Sequence, residues 1–92
     1  MNDGFELNRL EFMILETLYN GGCKDRFHGM TITEILDDNE GALGARMTVW
    51  KKIKRLVDTQ YIGKGILDNH ADTFYVLDKT IKIFEGGKEV WV

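Results

Sequence analysis

The chain has 92 residues, of which 43% are hydrophobic and 29% charged, with ten glycines, no proline and a formal net charge of −3. A chain of this length has room for one small core, so we expect residues 1–92 to form a single domain. Its one cysteine, Cys23, excludes an intramolecular disulfide and with it the disulfide-stapled secreted proteins. Neither a basic leader nor a run of about 18 apolar residues occurs, which predicts a cytoplasmic protein with no membrane partner.

The first amphipathic segment begins near Asn8, which with Glu11 has the spacing of a capping box at a helix N-terminus. The apolar residues that follow recur at spacings of three and four, the period of a helix: Leu10, Met13, Ile14 and Leu18. We expect this helix to end at Asn20, because Gly21 and Gly22 can adopt the left-handed conformation that ends many helices.

Two further helices are predicted close together. Thr31 and Glu34 form the clearest capping-box pattern in the chain, so a short second helix should start at Thr31 and run to about Asp38. A glycine-containing connection, residues 39–44, separates it from a third helix over about residues 45–60. The apolar residues of the third helix fall on one side: Val49, Trp50, Ile53, Leu56 and Val57.

After Gln60 the pattern changes from helical to strand-like. Residues 61–67 and 73–77 are rich in β-branched and aromatic side chains, whereas residues 68–72 between them have the composition of a turn. This pattern predicts a β-hairpin.

The last predicted element is a short helix over residues 79–85, ended by Gly86 and Gly87. The β-branched Ile81 and Ile83 also fit a strand. With the helix, the order of elements predicts an α+β winged helix-turn-helix: three helices, a β-hairpin wing and a short C-terminal helix.

Charge is distributed unevenly along the chain. Residues 44–67 contain six basic residues and one acidic residue, so this stretch carries +5 and the remainder carries −8. On the third helix a polar, mostly basic face lies opposite the apolar side, with no acid before Asp58: Thr48, Lys51, Lys52 and Arg55. An ordinary solvated helix face is one explanation. Like charges without acidic neighbours on the same helix instead favour an anionic partner such as double-stranded DNA.

The position of each residue predicts its role on DNA. Residues near the start of the third helix are placed to reach base edges in the major groove: Arg46, Met47, Thr48 and Lys51. Lys52 and Arg55, further along, are candidates for phosphate contacts, and the wing adds Lys64. Backbone amides from Thr31 to Thr33 are also candidates for a phosphate contact, although a cap with no further role is the simpler explanation of Thr31.

Two segments carry a resemblance to a known family. GARMTVWKKIKRLVDTQYIGKG, followed by TFYVLDKTIKIFEGG, resembles the recognition helix, wing and closing helix of winged-helix bacterial regulators of the MarR and PadR kind. The resemblance covers about residues 30–87. It implies sequence-specific binding of double-stranded DNA, usually by a homodimer, and a role in transcription regulation. The wing tip, DNHAD, carries acids where such wings often carry Arg or Lys, so contact from the wing would fall to Lys64 or His70.

The dimer contact has two candidate locations. One is the first helix. The other is Trp91 together with Phe84, because the predicted C-terminal helix is short for the long dimerisation helix of those families.

Other functional classes find little support in the sequence. Cys23 and His28 are too few for a structural zinc site, and no phosphate-binding glycine motif occurs, so no metal or cofactor is expected. No catalytic constellation is present, which argues against an enzyme. The main alternative is a winged helix that acts as a protein-interaction adaptor and does not bind DNA.

Overall fold

A computed structural model of the chain describes residues 7–90, and the side chains of residues 7–86. Its elements follow in the order α1 (Arg9–Asn20), β1 (Met30–Thr31), α2 (Ile32–Asp38), α3 (Arg46–Asp58), β2 (Ile62–Lys64), β3 (Thr73–Val76) and α4 (Asp78–Val90). The strands form an antiparallel sheet in the order β1-β3-β2. Helices α2 and α3 form the helix-turn-helix and the β2–β3 hairpin forms the wing, so the predicted winged helix-turn-helix is confirmed.

Both predicted capping boxes are present. The Asn8 side chain accepts a hydrogen bond from the Glu11 amide at 2.8 Å, and the Asn8 amide donates to the Glu11 carboxylate at 3.1 Å. Thr31 and Glu34 make the same reciprocal pair at 3.2 and 2.8 Å. These bonds satisfy amides that the first turn of a helix otherwise leaves without partners.

Helix α1 ends at Asn20, as predicted, but only one of the two glycines takes the left-handed conformation. Gly22 has φ +75°, whereas Gly21 stays at −80°. The Cys23 amide donates to the Leu18 carbonyl at 3.0 Å, which is the bond that defines a Schellman motif.

The end of α3 sets the position of the wing. Gln60 adopts a left-handed φ of 67°, and the Tyr61 amide then donates to the Leu56 carbonyl at 2.9 Å. This turn sends the chain directly into β2, so that Ile62 and the facing Val76 of β3 are buried in the core. The wing is therefore held next to α3.

The hydrophobic core lies between the three N-terminal helices and one face of the sheet. Its fully buried aliphatic residues come from α1, α2, α3 and the wing: Ile14, Leu15, Leu18, Ile35, Val49, Ile53, Leu56, Ile62 and Val76. The predicted apolar sides of α1 and α3 supply most of these, so their inward orientation is confirmed. Trp50 is the exception, because it was predicted to lie on the apolar side of α3 but is 46% exposed.

Two features of the fold differ from the prediction. The strand β1 was not predicted, and its second residue, Thr31, pairs with Thr73 while also serving as the N-cap of α2. The final element is a helix, as predicted, but its predicted end at Gly86 and Gly87 was wrong, because α4 continues through both to Val90.

Helix α4 packs against α1 directly before its two glycines. Phe84 stacks on Tyr19 with ring centroids 4.8 Å apart and contacts Phe12 at 5.2 Å. The Tyr19 hydroxyl donates to the Glu85 carboxylate at 2.8 Å. The two glycines inside α4 cost about 1 kcal/mol each, and the two aromatic contacts contribute stabilisation of the same order. Within residues 7–90, no helix has both the length and the apolar character needed to cross a membrane.

Candidate nucleic-acid interface

Helix α3 is anchored by its apolar side and exposes the opposite side. Val49, Ile53 and Leu56 are buried, and they fix the rotation of the helix about its axis. The side chains that this rotation turns outward are the candidates for contact with a ligand.

The centre of the outward face consists of Met47, Lys51 and Lys54. At 100° per residue these three positions fall within a sector of about 60°. All three are exposed, and neither lysine forms an ion pair with any residue that the structure describes. The Lys54 ammonium group lies 5.5 Å from the centre of the Trp50 ring, so this cation rests on an aromatic face.

The first turn of α3 is tied to α2 by a single polar contact. The exposed Arg46 guanidinium donates to the Thr33 hydroxyl at 3.0 Å. Thr48 is exposed in the same turn. The structure therefore brings the predicted residues Arg46, Met47, Thr48, Lys51 and Thr33 together on one surface at the start of α3.

Thr31, by contrast, is buried. Its hydroxyl accepts from the Glu34 amide, and its own amide donates to the Glu34 carboxylate. The Thr31 amide is therefore already paired, and the observed contacts of Thr31 are those of a cap, as its capping-box pattern predicts.

The sequence also led us to expect that Lys52 and Arg55 lack acidic neighbours, and this was wrong. Arg55 Nη1 lies 2.8 and 2.6 Å from the two carboxylate oxygens of Glu11, and Lys52 Nζ lies 4.0 Å from one of them. The acid comes from α1 and so does not appear in the sequence pattern of α3. Glu11 is 0% exposed, whereas the Arg55 side chain is 44% exposed. Positive charge on this side of α3 is thus partly compensated within the protein.

The wing, residues 62–76, carries no net positive charge, because Lys64 stands against Asp68 and Asp72. Lys64 Nζ lies 3.6 Å from the Asp72 carboxylate, and both side chains are exposed. His70 and Asn69 occupy the tip in left-handed conformations. A groove of about 140 Å³ between α3 and the wing is lined in part by Trp50 and Lys64.

Sequence reasoning missed Lys54 and the second role of Glu11. Lys54 was recoverable, because the rotation per residue that aligns Met47 with Lys51 also places Lys54 between Met47 and Trp50. The ion pair of Glu11 was not recoverable from spacing, since its partner Arg55 is 44 positions away.

The cysteine and histidine candidates are not brought together as metal ligands. Cys23 is buried, and this burial is the main reason that the pKa of its thiol is raised. His28 is exposed and lies 2.8 Å from the Asp25 carboxylate. No group of three or more His, Cys, Asp or Glu side chains in the described part of the chain is arranged to hold a metal ion.

Several solved structures are similar to this chain. The DNA-binding TubR fragment from Clostridium botulinum shares 24% identity at a TM-score of 0.68, over 87% of this chain and 95% of that one. TubR from Bacillus megaterium pBM400 shares 17% identity at a TM-score of 0.70, over 88% and 94%. These comparisons decide the fold. The chain has the winged-helix fold of TubR.

A more distant similarity extends to the ferric uptake regulator from Francisella tularensis with iron. It shares 14% identity at a TM-score of 0.61, over 83% of this chain and 56% of that longer one. No protein-family model matches the chain, and no curated protein sequence matches it.

Proposed function

We propose that this protein binds double-stranded DNA sequence-specifically and acts as a transcription regulator, with α3 as its recognition helix. The observation that carries the proposal is the outward face of α3. Lys51 and Lys54 have no acidic partner among the described residues, although the chain as a whole carries a net charge of −3. A local concentration of unpaired cations on an acidic protein favours an extended anionic ligand.

The shape of α3 suits the major groove of DNA. Its 13 residues span about 20 Å, and a helix fits a groove about 12 Å wide. The TubR fragment with the same fold is described as DNA-binding, which supports the proposal by analogy. The resemblance of α3 and the wing to MarR and PadR regulators supports the proposed role in transcription regulation.

The contacts of each residue refine the roles that the sequence predicts. Residues at the start of α3 would read base edges: Arg46, Met47, Thr48 and Lys51. The charges of Arg46 and Lys51 would also neutralise neighbouring phosphates. Lys54 would hold a phosphate. Lys52 and Arg55 would contribute less to phosphate binding than their charge implies, because Glu11 already compensates them, and Lys64 is weakened in the same way by Asp72.

We also propose that the protein acts as a homodimer in the cytoplasm, without enzymatic activity. A two-fold dimer reads half-sites about one helical turn apart, roughly 10 base pairs. Phe12 of α1 is 39% exposed at the point where α1 packs against α4. This exposed aromatic side chain supports the junction of α1 and α4 as the dimer contact. Phe84 is already packed against Phe12 and Tyr19 within the chain, and Trp91 lies outside the described residues.

Titration with duplex DNA at several salt concentrations tests the proposal. If Arg46, Lys51 and Lys54 each neutralise one phosphate, the slope of log affinity against log salt is about −2.7 per protomer. Affinity per protomer should then fall about 40-fold between 50 and 200 mM salt. A selection from random duplexes should enrich one motif. Absence of binding at about 50 mM salt would instead favour the protein-interaction adaptor.

A further inference from the structure

Two large apolar side chains project from the cationic surface of α3. Met47 is 65% exposed and Trp50 is 46% exposed. They are three residues apart on the helix, and with Arg46 they line a shallow depression of about 420 Å³. We call Met47 and Trp50 the apolar pair.

Isolated exposed hydrophobic residues are common on proteins, but the surroundings of the apolar pair are unusual. Arg46, Lys51 and Lys54 lie on α3 around it, and none of them forms an ion pair within residues 7–86. A ligand of the pair must therefore present an apolar group within a negatively charged setting.

The major groove of DNA meets both requirements. The 5-methyl group of thymine is the apolar group on its floor, and phosphates line both of its edges. A-form RNA lacks this methyl group and has a major groove too narrow for side chains to read. A second copy of the chain fits less well, because a symmetric contact at the pair brings the cations of both copies together.

We propose that the apolar pair reads thymine methyl groups, so that the bound site carries thymine at the base pairs beneath Met47 and Trp50. The proposal rests on the proposed function and adds the identity of the bases. The methyl group of a threonine can also contact a thymine methyl group, but Thr48 lies about 100° around the helix from Met47 and is not part of the apolar pair.

Replacement of thymine by deoxyuridine isolates the methyl group. Duplexes of the selected site would carry deoxyuridine at one thymine position at a time, and affinity would be measured at fixed salt. We expect a loss of about fourfold at each thymine that the pair contacts, the effect of removing one methyl group from an apolar contact. Other thymines should show no change.

Protein variants assign this effect to the pair. With Met47→Ala or Trp50→Ala, the difference between thymine and deoxyuridine should disappear at the position that each residue contacts. Lys51→Ala should weaken binding to both duplexes and keep the difference. Phe27→Ala is the matched control, because Phe27 is 64% exposed and lies outside α3.

The outcomes separate this inference from the proposed function. If no duplex is bound, the proposed function fails. If a selected site is bound but every deoxyuridine substitution is neutral, the thymine reading is wrong while DNA binding stands. The reading is also wrong if Met47→Ala and Trp50→Ala fold normally and convert a dimer into a monomer without DNA, because the pair is then a contact between copies.

Discussion

Glu11→Ala is expected to lower the free energy of unfolding by about 2–3 kcal/mol. Glu11 is fully buried, and it accepts hydrogen bonds from the Asn8 amide and the Arg55 guanidinium. Its removal deletes half of a capping box and the partner of a buried ion pair. The loss falls below the largest values for such pairs, because the Arg55 side chain is 44% exposed and can be hydrated. For a domain of this size the midpoint of thermal unfolding should drop by roughly 10–20 °C.

Glu11→Gln separates the two contributions, because a glutamine can still accept from the Asn8 amide. It should cost about 1–2 kcal/mol, through the loss of the charge and of one of the two oxygens that accept from Arg55. Glu16→Ala is the control on the same helix, since Glu16 is exposed, and it should change stability by less than about 0.5 kcal/mol. Equal stability of Glu11→Ala and Glu16→Ala in denaturant unfolding would show that the pair with Arg55 contributes nothing.

Removal of both Lys51 and Lys54 is expected to weaken DNA binding about 60-fold at 0.1 M salt. Each phosphate contact contributes about eightfold at this concentration through counterion release, and two contacts multiply. The slope of log affinity against log salt should become shallower by about 1.8. Both side chains are exposed, so stability should change by less than about 0.5 kcal/mol.

Two comparisons give this prediction its specificity. Lys82→Ala removes the same charge from an exposed position on α4 and should leave the slope unchanged. Lys52→Ala should change the slope less than Lys51→Ala or Lys54→Ala, because Glu11 already lies 4.0 Å from the Lys52 ammonium group. If Lys82→Ala reduces the slope as much as Lys51→Ala does, the cations of α3 have no special role.

The ion pair of Glu11 also affects how binding data on Arg55 are interpreted. Arg55→Ala leaves a fully buried carboxylate with Lys52 4.0 Å away, which is strongly destabilising. Loss of DNA binding by this variant would therefore not distinguish a lost phosphate contact from a loss of fold, and only a variant with measured stability can report on the phosphate contact.

Local interactions explain why so much of the fold was predictable. The capping boxes at Asn8 and Thr31 depend on residues three positions apart, and the inward sides of α1 and α3 follow from helical periodicity. The packing of α4 depends instead on the contact of Phe84 with Tyr19, which is 65 residues earlier in the chain. A two-residue strand such as Met30–Thr31 is too short to show any alternation.

The candidate site was predictable to a smaller extent. The exposure of Arg46, Met47 and Lys51 follows from the rotation of α3, which the sequence specifies through Val49, Ile53 and the other buried positions. The pairing of Arg55 with an acid could not be predicted from the sequence, because Glu11 meets Arg55 only when α1 packs across α3. To predict the net charge of a helix face therefore requires the tertiary structure.

Nuclear magnetic resonance gives the most direct test of the outward face of α3 as the DNA-binding surface. Amide resonances of the ¹⁵N-labelled protein would be followed during titration with the selected duplex. We expect the largest shifts from Arg46 to Lys54, with smaller shifts near Thr33 and Lys64 and little change along α4. Shifts concentrated on α4 and residues 24–29, with α3 unaffected, would contradict the assignment of α3 as the recognition helix.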